Sequence, residues 1–410
     1  MRNPRVYEWT IVLLLMLMWG VVGLNRIGIA YLFPILVPRF HLAYWQVGLL
    51  LSGTSVTWAL STWFGGNLSD RVGRKWVFIP ALTFAALVSA LIGAVWNFLS
   101  LFIVRDLIGL GDGVGWSVGE AAVAEVSSPE RKAFNQGLYM GGYTIMGTGL
   151  GAIIITQLAL HLGWRWVYAV IAVFALGILA LLARWMREPR AIHGRASGGI
   201  QASLHLLGNR QVLLLVGLNI LILTWLQGFN GYASLFLTRV DHFPLAQAGY
   251  LLSIGGIVGF IGQFALPYLS DRVGRRPVVV GAAALAAASL IAMSQWRLGP
   301  GPLAMLIAVN GFFGWGLQPI AMATVVSESV PPSLVGNAIG LTNFFGVVVG
   351  TMVMPLALGV IAGHWGLATA ILVVGLAEAM ILPLGWALRE TAPRRNARSR
   401  EVLTSQSLGL

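Results

Sequence analysis

The sequence predicts an all-helical polytopic membrane protein, with about twelve spanning helices arranged as two similar, parallel six-helix halves. Three observations carry that prediction: charge is scarce, the charge present is one-sided, and one seven-residue string occurs twice.

Only 10% of the 410 residues are charged and 57% are hydrophobic, whereas a soluble domain carries roughly 25% charged residues. The apolar residues fall in runs near 20 long, the length that crosses a bilayer core of ~30 Å at ~1.5 Å per residue. They do not alternate over about ten residues, which excludes a β-barrel. There is no cysteine, hence no disulfide or thiol chemistry, and the redox compartment is left unread. Arg2 and Arg5 before an apolar run resemble the start of a signal peptide. That run passes Ala30 with no small-residue cleavage site, so it is read as the first membrane helix.

In chain order the expected helices are 9–33, 45–68, 76–95, 97–121, 134–159 and 165–186, then 211–237, 246–268, 277–296, 301–325, 334–361 and 366–388. The connections are short except in the middle, where Pro189, Gly194, Gly198 and Gly199 mark a linker. The expected organisation is a six-helix bundle over 1–188, a linker over 189–210, a second bundle over 211–390 and a basic, disordered tail over 391–410. With the N-terminus in the cytoplasm, 20 of the 26 lysines and arginines fall on the cytoplasmic side. Four (Arg39, Arg165, Arg239, Arg297) fall outside, and Arg26 and Arg105 lie within helices. That asymmetry places both termini in the cytoplasm of a multi-pass inner (plasma) membrane protein. It also disposes of nucleic acid as the partner of a +12 chain, because the basic residues are topogenic and face anionic lipid.

Leu68-Ser69-Asp70-Arg71-Val72-Gly73-Arg74 recurs as Leu269-Ser270-Asp271-Arg272-Val273-Gly274-Arg275, 201 residues on. Pro129, Asn135 and Leu138 are echoed by Pro331, Asn337 and Leu341. Both copies of the strong string follow the second helix of a half, so the halves are parallel repeats. Physically the string is a tight turn at Gly73 with an acid and bases at the membrane edge. Asp70 can take the positive N-terminal end of a neighbouring helix, and Arg74 can pair with Glu125 near the end of helix 4. Asp271, Arg275 and Glu328 stand in the equivalent places.

Gly65-Gly66-Asn67-Leu68-Ser69-Asp70-Arg71-Val72-Gly73-Arg74-Lys75 resembles the signature of the major facilitator superfamily, and Arg105-x-x-x-Gly109-x-Gly111 resembles its second motif. Asn25-Arg26 on helix 1, with Arg105 and an acid seven residues later at Asp112, is similar to the anion–cation symporter branch. The resemblance implies a secondary active transporter of a small organic anion, coupled to protons and importing by alternating access. It implies no cofactor, no metal and no enzymatic activity, and the expected state is a monomer. Arg26 matches the arginine that contacts the substrate carboxylate, and Asp112 matches the protonatable acid. Asn25 departs from the usual Asp, which puts a second proton site on helix 1 in doubt.

Arg105 and Asp112, two turns apart, share a helix face, while Asp106 points about 100° away. Charges in hydrocarbon cost at least ~2.5–3.5 kcal/mol each on insertion scales, so they face a cavity or a partner. A structural ion pair between Arg105 and Asp112, or with helix 1, is the alternative reading. The expected substrate contacts are Arg26, Arg105, Tyr31, Asn230, Tyr232, Gln263, Gln318 and Asn343, with Trp116 as a further wall and Asn310 and Thr342 as other polar candidates. The expected gates are Asp70, Arg71, Arg74 and Glu125 with Asp271, Arg272, Arg275 and Glu328, and the expected proton carrier is Asp112. Helix–helix contact is the competing role for each neutral polar residue. Glu120 and Glu378 receive no assignment. The histidines all fall in loops or near helix ends, which disfavours a histidine relay or a metal site. No phosphate-binding Gly-x-x-x-x-Gly-Lys-Ser/Thr occurs, so an ATP-driven pump is not expected. The glycines of helix 5 lack the Gly-Pro step of drug–proton antiporters. A second reading is an exporter of amphipathic or lipid-like molecules, which a wide cavity walled by aromatics rather than arginines would favour. A membrane receptor or enzyme would need an output domain or a catalytic cluster that the short loops do not house.

Overall fold

The computed structural model describes residues 3–188, 206–331 and 334–392. Twelve long helices occupy them. The first six are α1 Pro4–Arg39, α2 Tyr44–Val72, α3 Arg74–Ala94, α4 Phe98–Val126, α5 Lys132–His161 and α6 Trp164–Trp185. The second six are α7 Arg210–Arg239, α8 Leu245–Val273, α9 Arg275–Gln295, α10 Pro300–Ser329, α11 Val335–Trp365 and α12 Leu367–Ala387. No strand occurs among the described residues. Most of the expected linker (189–205) and most of the tail (393–410) lie outside the described residues.

Ten of these helices are long and apolar enough to cross a membrane by length and composition. The two that are not, α2 and α4, carry much of the polar chemistry, including Arg105, Asp106, Asp112 and Glu120 on α4. They can still lie in a bilayer because α4 turns this face to protein: Arg105 is fully buried and Asp112 only 3% exposed. Helices overrun the predicted spans, as with α1, expected at 9–33 and observed at Pro4–Arg39. Hydropathy reports the part in hydrocarbon, whereas helical hydrogen bonding continues beyond it.

Glycine sets the spacing of α4. A Cβ on Gly109 would meet the Thr54 carbonyl oxygen at 2.8 Å, and one on Gly111 the Ala81 carbonyl oxygen at 2.5 Å. Without side chains there, α2 and α3 approach closely enough for Ser61 Oγ to donate to the Gly109 carbonyl at 3.1 Å and Thr62 Oγ1 to that of Gly113 at 2.8 Å. Gly73 and Gly274 end α2 and α8 at φ of 113° and 121°, a region open to glycine alone among common residues. Both copies of the repeated string therefore make the same turn.

The repeat extends to a backbone feature invisible in composition. Residues Tyr143–Leu150 of α5 and Gly346–Val353 of α11 are π-helical, as is Ile320–Thr324 of α10. Such segments widen a helix locally and often mark functional sites. Each of these three contributes to, or adjoins, the cavity described next.

The two sets of six helices close on each other at the end away from the repeated loops. There Ser253 Oγ donates to the Gly149 carbonyl, Gln157 to Tyr250 Oη at 3.2 Å, and Arg239 to the Pro34 carbonyl at 3.5 Å. Gly48 of α2 lies against the backbone of Pro355 and Leu356 in α11. Toward the loop end nothing stands within 4 Å of a Cβ built on Gly336 or Gly340.

Candidate functional site

A cavity of about 720 Å³ lies between the halves, within the usual size range of small-molecule sites. Arg26 of α1 is the one charged residue lining it among the described residues. Its guanidinium lies 4.5 Å from the centre of the Trp58 ring and donates to Ser55 Oγ at 3.2 Å. Stacking on an indole leaves the in-plane N–H edge of an arginine available for a planar anion.

The walls mix aliphatic and aromatic side chains, and a connected set of rings runs through them. Trp19, Trp58, Trp116 and Tyr143 come from the first half and Trp315 from the second. Trp58 meets Trp116 edge-on at 5.4 Å, Trp116 meets Trp19 at 5.7 Å, and Trp19 meets Tyr143 at 5.3 Å. Tyr143 reaches Trp315 across the interface at 6.4 Å. Of the residues expected at a substrate site, Arg26, Gln263, Gln318 and Asn343 line this cavity, as does Trp116. Asn343 accepts from Asn219 Nδ2 at 2.8 Å. Gln263 Oε1 and Gln318 Nε2 have no hydrogen-bond partner.

Other expected contacts lie elsewhere. Tyr31 and Asn230 line a separate gap of about 10 Å³, which shares Trp315 with the main cavity. Tyr232 is fully buried and donates to the Pro355 carbonyl at 2.8 Å, tying α7 to α11. Asn310 accepts from Trp225 Nε1 at 3.1 Å, and Thr342 donates to its own helix at 3.1 Å. Arg105 does not line the cavity. It donates to the carbonyls of Asn25 and, at 3.2 Å, Arg26, so it grips the backbone that presents Arg26. A buried guanidinium needs fixed acceptors, and α1 carbonyls supply them for its two terminal nitrogens, while Nε has no partner among the described residues.

Asp112 sits beside the Asn25 side chain and near both Arg105 and Arg26, yet forms an ion pair with neither among the described residues. Its Oδ1 has no hydrogen-bond partner. Glu120, one helix face away, is mostly buried, and Glu378 on α12 is 1% exposed with Oε2 unpartnered. No group of three or more potential metal ligands occurs among the described residues.

The repeated loops form two matching charge clusters. Arg74 binds Asp70 at 2.5 Å and Glu125 at 3.1 Å. Arg275 binds Asp271 at 2.6 Å and Glu328 at 2.9 Å. Each cluster stays within its own half: Asp70 and Asp271 are mostly exposed and reach nothing across the interface. Arg71 is exposed, and Arg272 stacks 4.2 Å over Tyr268. The N-terminus of α3, the helix that follows the turn, is held by an acid the sequence reading did not single out. Glu188, just beyond α6, accepts from the backbone N–H of Arg74 at 2.7 Å and of Lys75 at 3.0 Å. Glu390, just beyond α12, does the same for Arg275 at 2.8 Å and Arg276 at 3.2 Å. Arg187-Glu188 and Arg389-Glu390 are a second repeat, 202 residues apart and legible in the sequence. Glu8 of α1 was also missed. It accepts from Arg131 at 2.7 Å, Asn135 at 2.8 Å and Ser128 N at 3.2 Å, pinning the α4–α5 turn to α1. Its signal was that it is the first acid of the chain, with no other before Asp70.

The family model for the Major Facilitator Superfamily matches residues 15–350. Curated relatives include a probable 4-methylmuconolactone transporter of Cupriavidus pinatubonensis, 26% identical over 86% of this chain and 83% of that protein. A hexuronate transporter of Bacillus subtilis is 24% identical over 87% of this chain and 88% of its own. Among solved structures, the fold is shared with a bacterial homologue of the human lysosomal transporter Spinster, inward-facing and occupied (TM-score 0.77, 15% identity, 94% and 97% covered). It is also shared with the nucleoside transporter NupG (TM-score 0.78, 13% identity, 94% and 99% covered).

Proposed function

This chain belongs to the Major Facilitator Superfamily, and we propose that it is a proton-coupled importer of a small organic anion in the bacterial inner membrane. It is a multi-pass membrane transporter, not an enzyme. The observation that carries the anion reading is Arg26, among the described residues the one charged side chain on a cavity of about 720 Å³, its guanidinium holding a single protein hydrogen bond there. A guanidinium with free donors in a mostly apolar site is a carboxylate receptor. The names of the two relatives, a probable lactone transporter and a hexuronate transporter, support a small metabolite as cargo.

On this reading residues 1–188 and 211–390 rock about the cavity, with both termini in the cytoplasm and the chain acting as a monomer. Asp70, Arg71, Arg74 and Glu125, with Asp271, Arg272, Arg275 and Glu328, gate the cytoplasmic end. Asp112 carries the coupling proton, and its nearness to both arginines supports that role. When ionised it holds the positive field of the site, and when protonated it releases that field to the substrate. Arg105 contributes by fixing Arg26 rather than by touching cargo.

The test is uptake of a panel of labelled carboxylates into proteoliposomes, with and without an imposed inward proton gradient. Gradient-driven accumulation of a carboxylate, lost in Arg26→Ala, is the expected result. Transport indifferent to both gradient and Arg26 would overturn the reading. A second reading, export of an amphipathic molecule, draws on one observation: Val56, Leu60 and Trp63 of α2 and Phe344 of α11 line the cavity and are also exposed on the flank. It predicts competition by lysolipids at Arg26-independent affinity.

A further inference from the structure

The cavity's polar and aromatic groups are disposed unevenly, and that disposition constrains the cargo. We infer that the site takes a planar aromatic or conjugated monocarboxylate with one hydroxyl or carbonyl at its far end, an inference that rests on the anion reading above.

The single charge comes first. Among the described residues Arg26 is the one charged lining residue, so one carboxylate can be matched and a second would enter an apolar site uncompensated. The walls come next. Trp58 lies against the Arg26 guanidinium at 4.5 Å, and Trp58 and Trp116 meet at 5.4 Å with planes 87° apart. An anion on Arg26 therefore places its body among ring faces and edges, which reward flat π systems over saturated rings of equal size.

Two hydroxyl side chains of the lining are spent on their own or a neighbouring helix: Thr62 Oγ1 donates to the carbonyls of Trp58 and Gly113 at 2.8 Å each, and Thr351 Oγ1 donates to Val347 at 2.9 Å. Thr144 Oγ1 has no partner among the described residues. A polyhydroxylated acid would leave most of its hydroxyls unpaired here, a penalty that discriminates against it. The second half does offer one polar pair. Gln263 Oε1 is an unpartnered acceptor and Gln318 Nε2 an unpartnered donor, both on cavity-lining side chains. Both atoms are buried where they stand, so either amide would meet one hydroxyl or carbonyl of the cargo by turning into the cavity, and both residues lie across the interface from Arg26. A ligand bridging the two would contact both halves, as alternating access requires of cargo.

The test is isothermal titration of the purified full chain in detergent with 4-hydroxybenzoate, benzoate, cyclohexanecarboxylate and glucuronate. 4-Hydroxybenzoate should bind tightest. Cyclohexanecarboxylate should be at least about fivefold weaker than benzoate, and glucuronate weaker still. Trp116→Leu should shrink the gap between benzoate and cyclohexanecarboxylate, while Trp116→Phe keeps it. Gln318→Leu should erase the advantage of 4-hydroxybenzoate over benzoate. Should Trp116→Leu fail to fold, the wild-type ranking decides. Glucuronate binding as tightly as 4-hydroxybenzoate would overturn this substrate class and leave the anion reading standing. If none of the four anions bound while a lysophospholipid did, the anion reading itself would fall.

Discussion

The two halves are near copies at their repeated loops and unlike each other at the cavity. At the loops Arg74 and Arg275 hold the same four kinds of partner: a serine hydroxyl, an acid one turn back, an acid from the fourth helix of the half, and a capping glutamate for the helix they begin. At the cavity the first half supplies Arg26 with Asp112 and Arg105 behind it, whereas 201 residues on from Arg26 stands Gln227. The second half lines the space with amides and an indole, Gln263, Gln318, Asn343 and Trp315. On the proposed rocking motion, both halves need matching ends, which would account for the duplicated loop chemistry. A charge in hydrocarbon is costly wherever it stands, and on the proposed anion reading the single cavity-lining charge stands where the cargo would meet it.

The largest effect should come from making the first half resemble the second at its charged position. Arg26→Gln copies the residue of the repeat and should weaken carboxylate binding by about 10- to 100-fold, the worth of a charge-assisted hydrogen bond. Arg26→Lys should fail nearly as badly, because an ammonium keeps charge but loses the planar fork. Titration with the tightest-binding carboxylate measures both. Wild-type affinity in Arg26→Gln would mean that the asymmetry between the halves has nothing to do with anion recognition.

Next comes Asp112→Asn, which fixes that residue in its uncharged form. The variant should still bind and exchange substrate across a membrane, since exchange moves no net protons, yet fail to accumulate it under a proton gradient. If Asp112 serves only to balance Arg105 and Arg26, the variant should instead lose thermal stability and binding together. Counterflow and gradient-driven uptake on one preparation separate these outcomes.

The two charge clusters proposed as gates were legible in the sequence because their chemistry is local. Asp70 to Arg74 is one helical turn, and an identical string 201 residues away marks the fold's symmetry. Arg26 was legible as a charge inside an apolar run. The division of labour between Arg26 and Arg105 was not. Both look alike in sequence, and only the crossing of α4 against α1 aims one guanidinium at backbone carbonyls and the other at open space. The aromatic box was hidden for a similar reason: Trp19, Trp58, Trp116 and Trp315 lie on four helices, in a chain where 16 tryptophans are spread throughout. Tyr31, Asn230 and Tyr232 were plausible because they are polar in a membrane span. In the structure Tyr31 and Tyr232 bond to carbonyls of other helices, a common fate of such residues, while Asn230 bonds back to Leu226 in its own helix.

Within the gates, Asp70→Asn and Asp271→Asn ask whether duplicated chemistry is equivalent in use. Both acids are mostly exposed in this state and bound only by the arginine one turn on. Asp70→Asn should abolish cycling while leaving substrate affinity within about twofold, because an exposed ion pair contributes ~0–1 kcal/mol to one state. Asp271→Asn should slow cycling less. Uptake in vesicles beside binding in detergent checks both, and normal uptake in the two variants would remove the gating assignment.

The smallest effect should be the most symmetrical. Glu188 and Glu390 each close the N-terminus of a helix by accepting two backbone N–H bonds, at 2.7 and 3.0 Å and at 2.8 and 3.2 Å. Glu188→Gln and Glu390→Gln keep one carbonyl acceptor but lose the second and the charge opposite the helix dipole. The loss expected is about 0.5–1 kcal/mol from charge and cap together. Each variant should lower the detergent melting midpoint by about 2 °C, and the double variant by the sum, because the two sites are in different halves and share no partner. Neither should change carboxylate affinity. A large drop in uptake from Glu188→Gln alone, with the midpoint unmoved, would give that residue a role in switching. It would also end the equivalence of the loops, since a cap that only holds a helix has no reason to matter more in one copy than in the other.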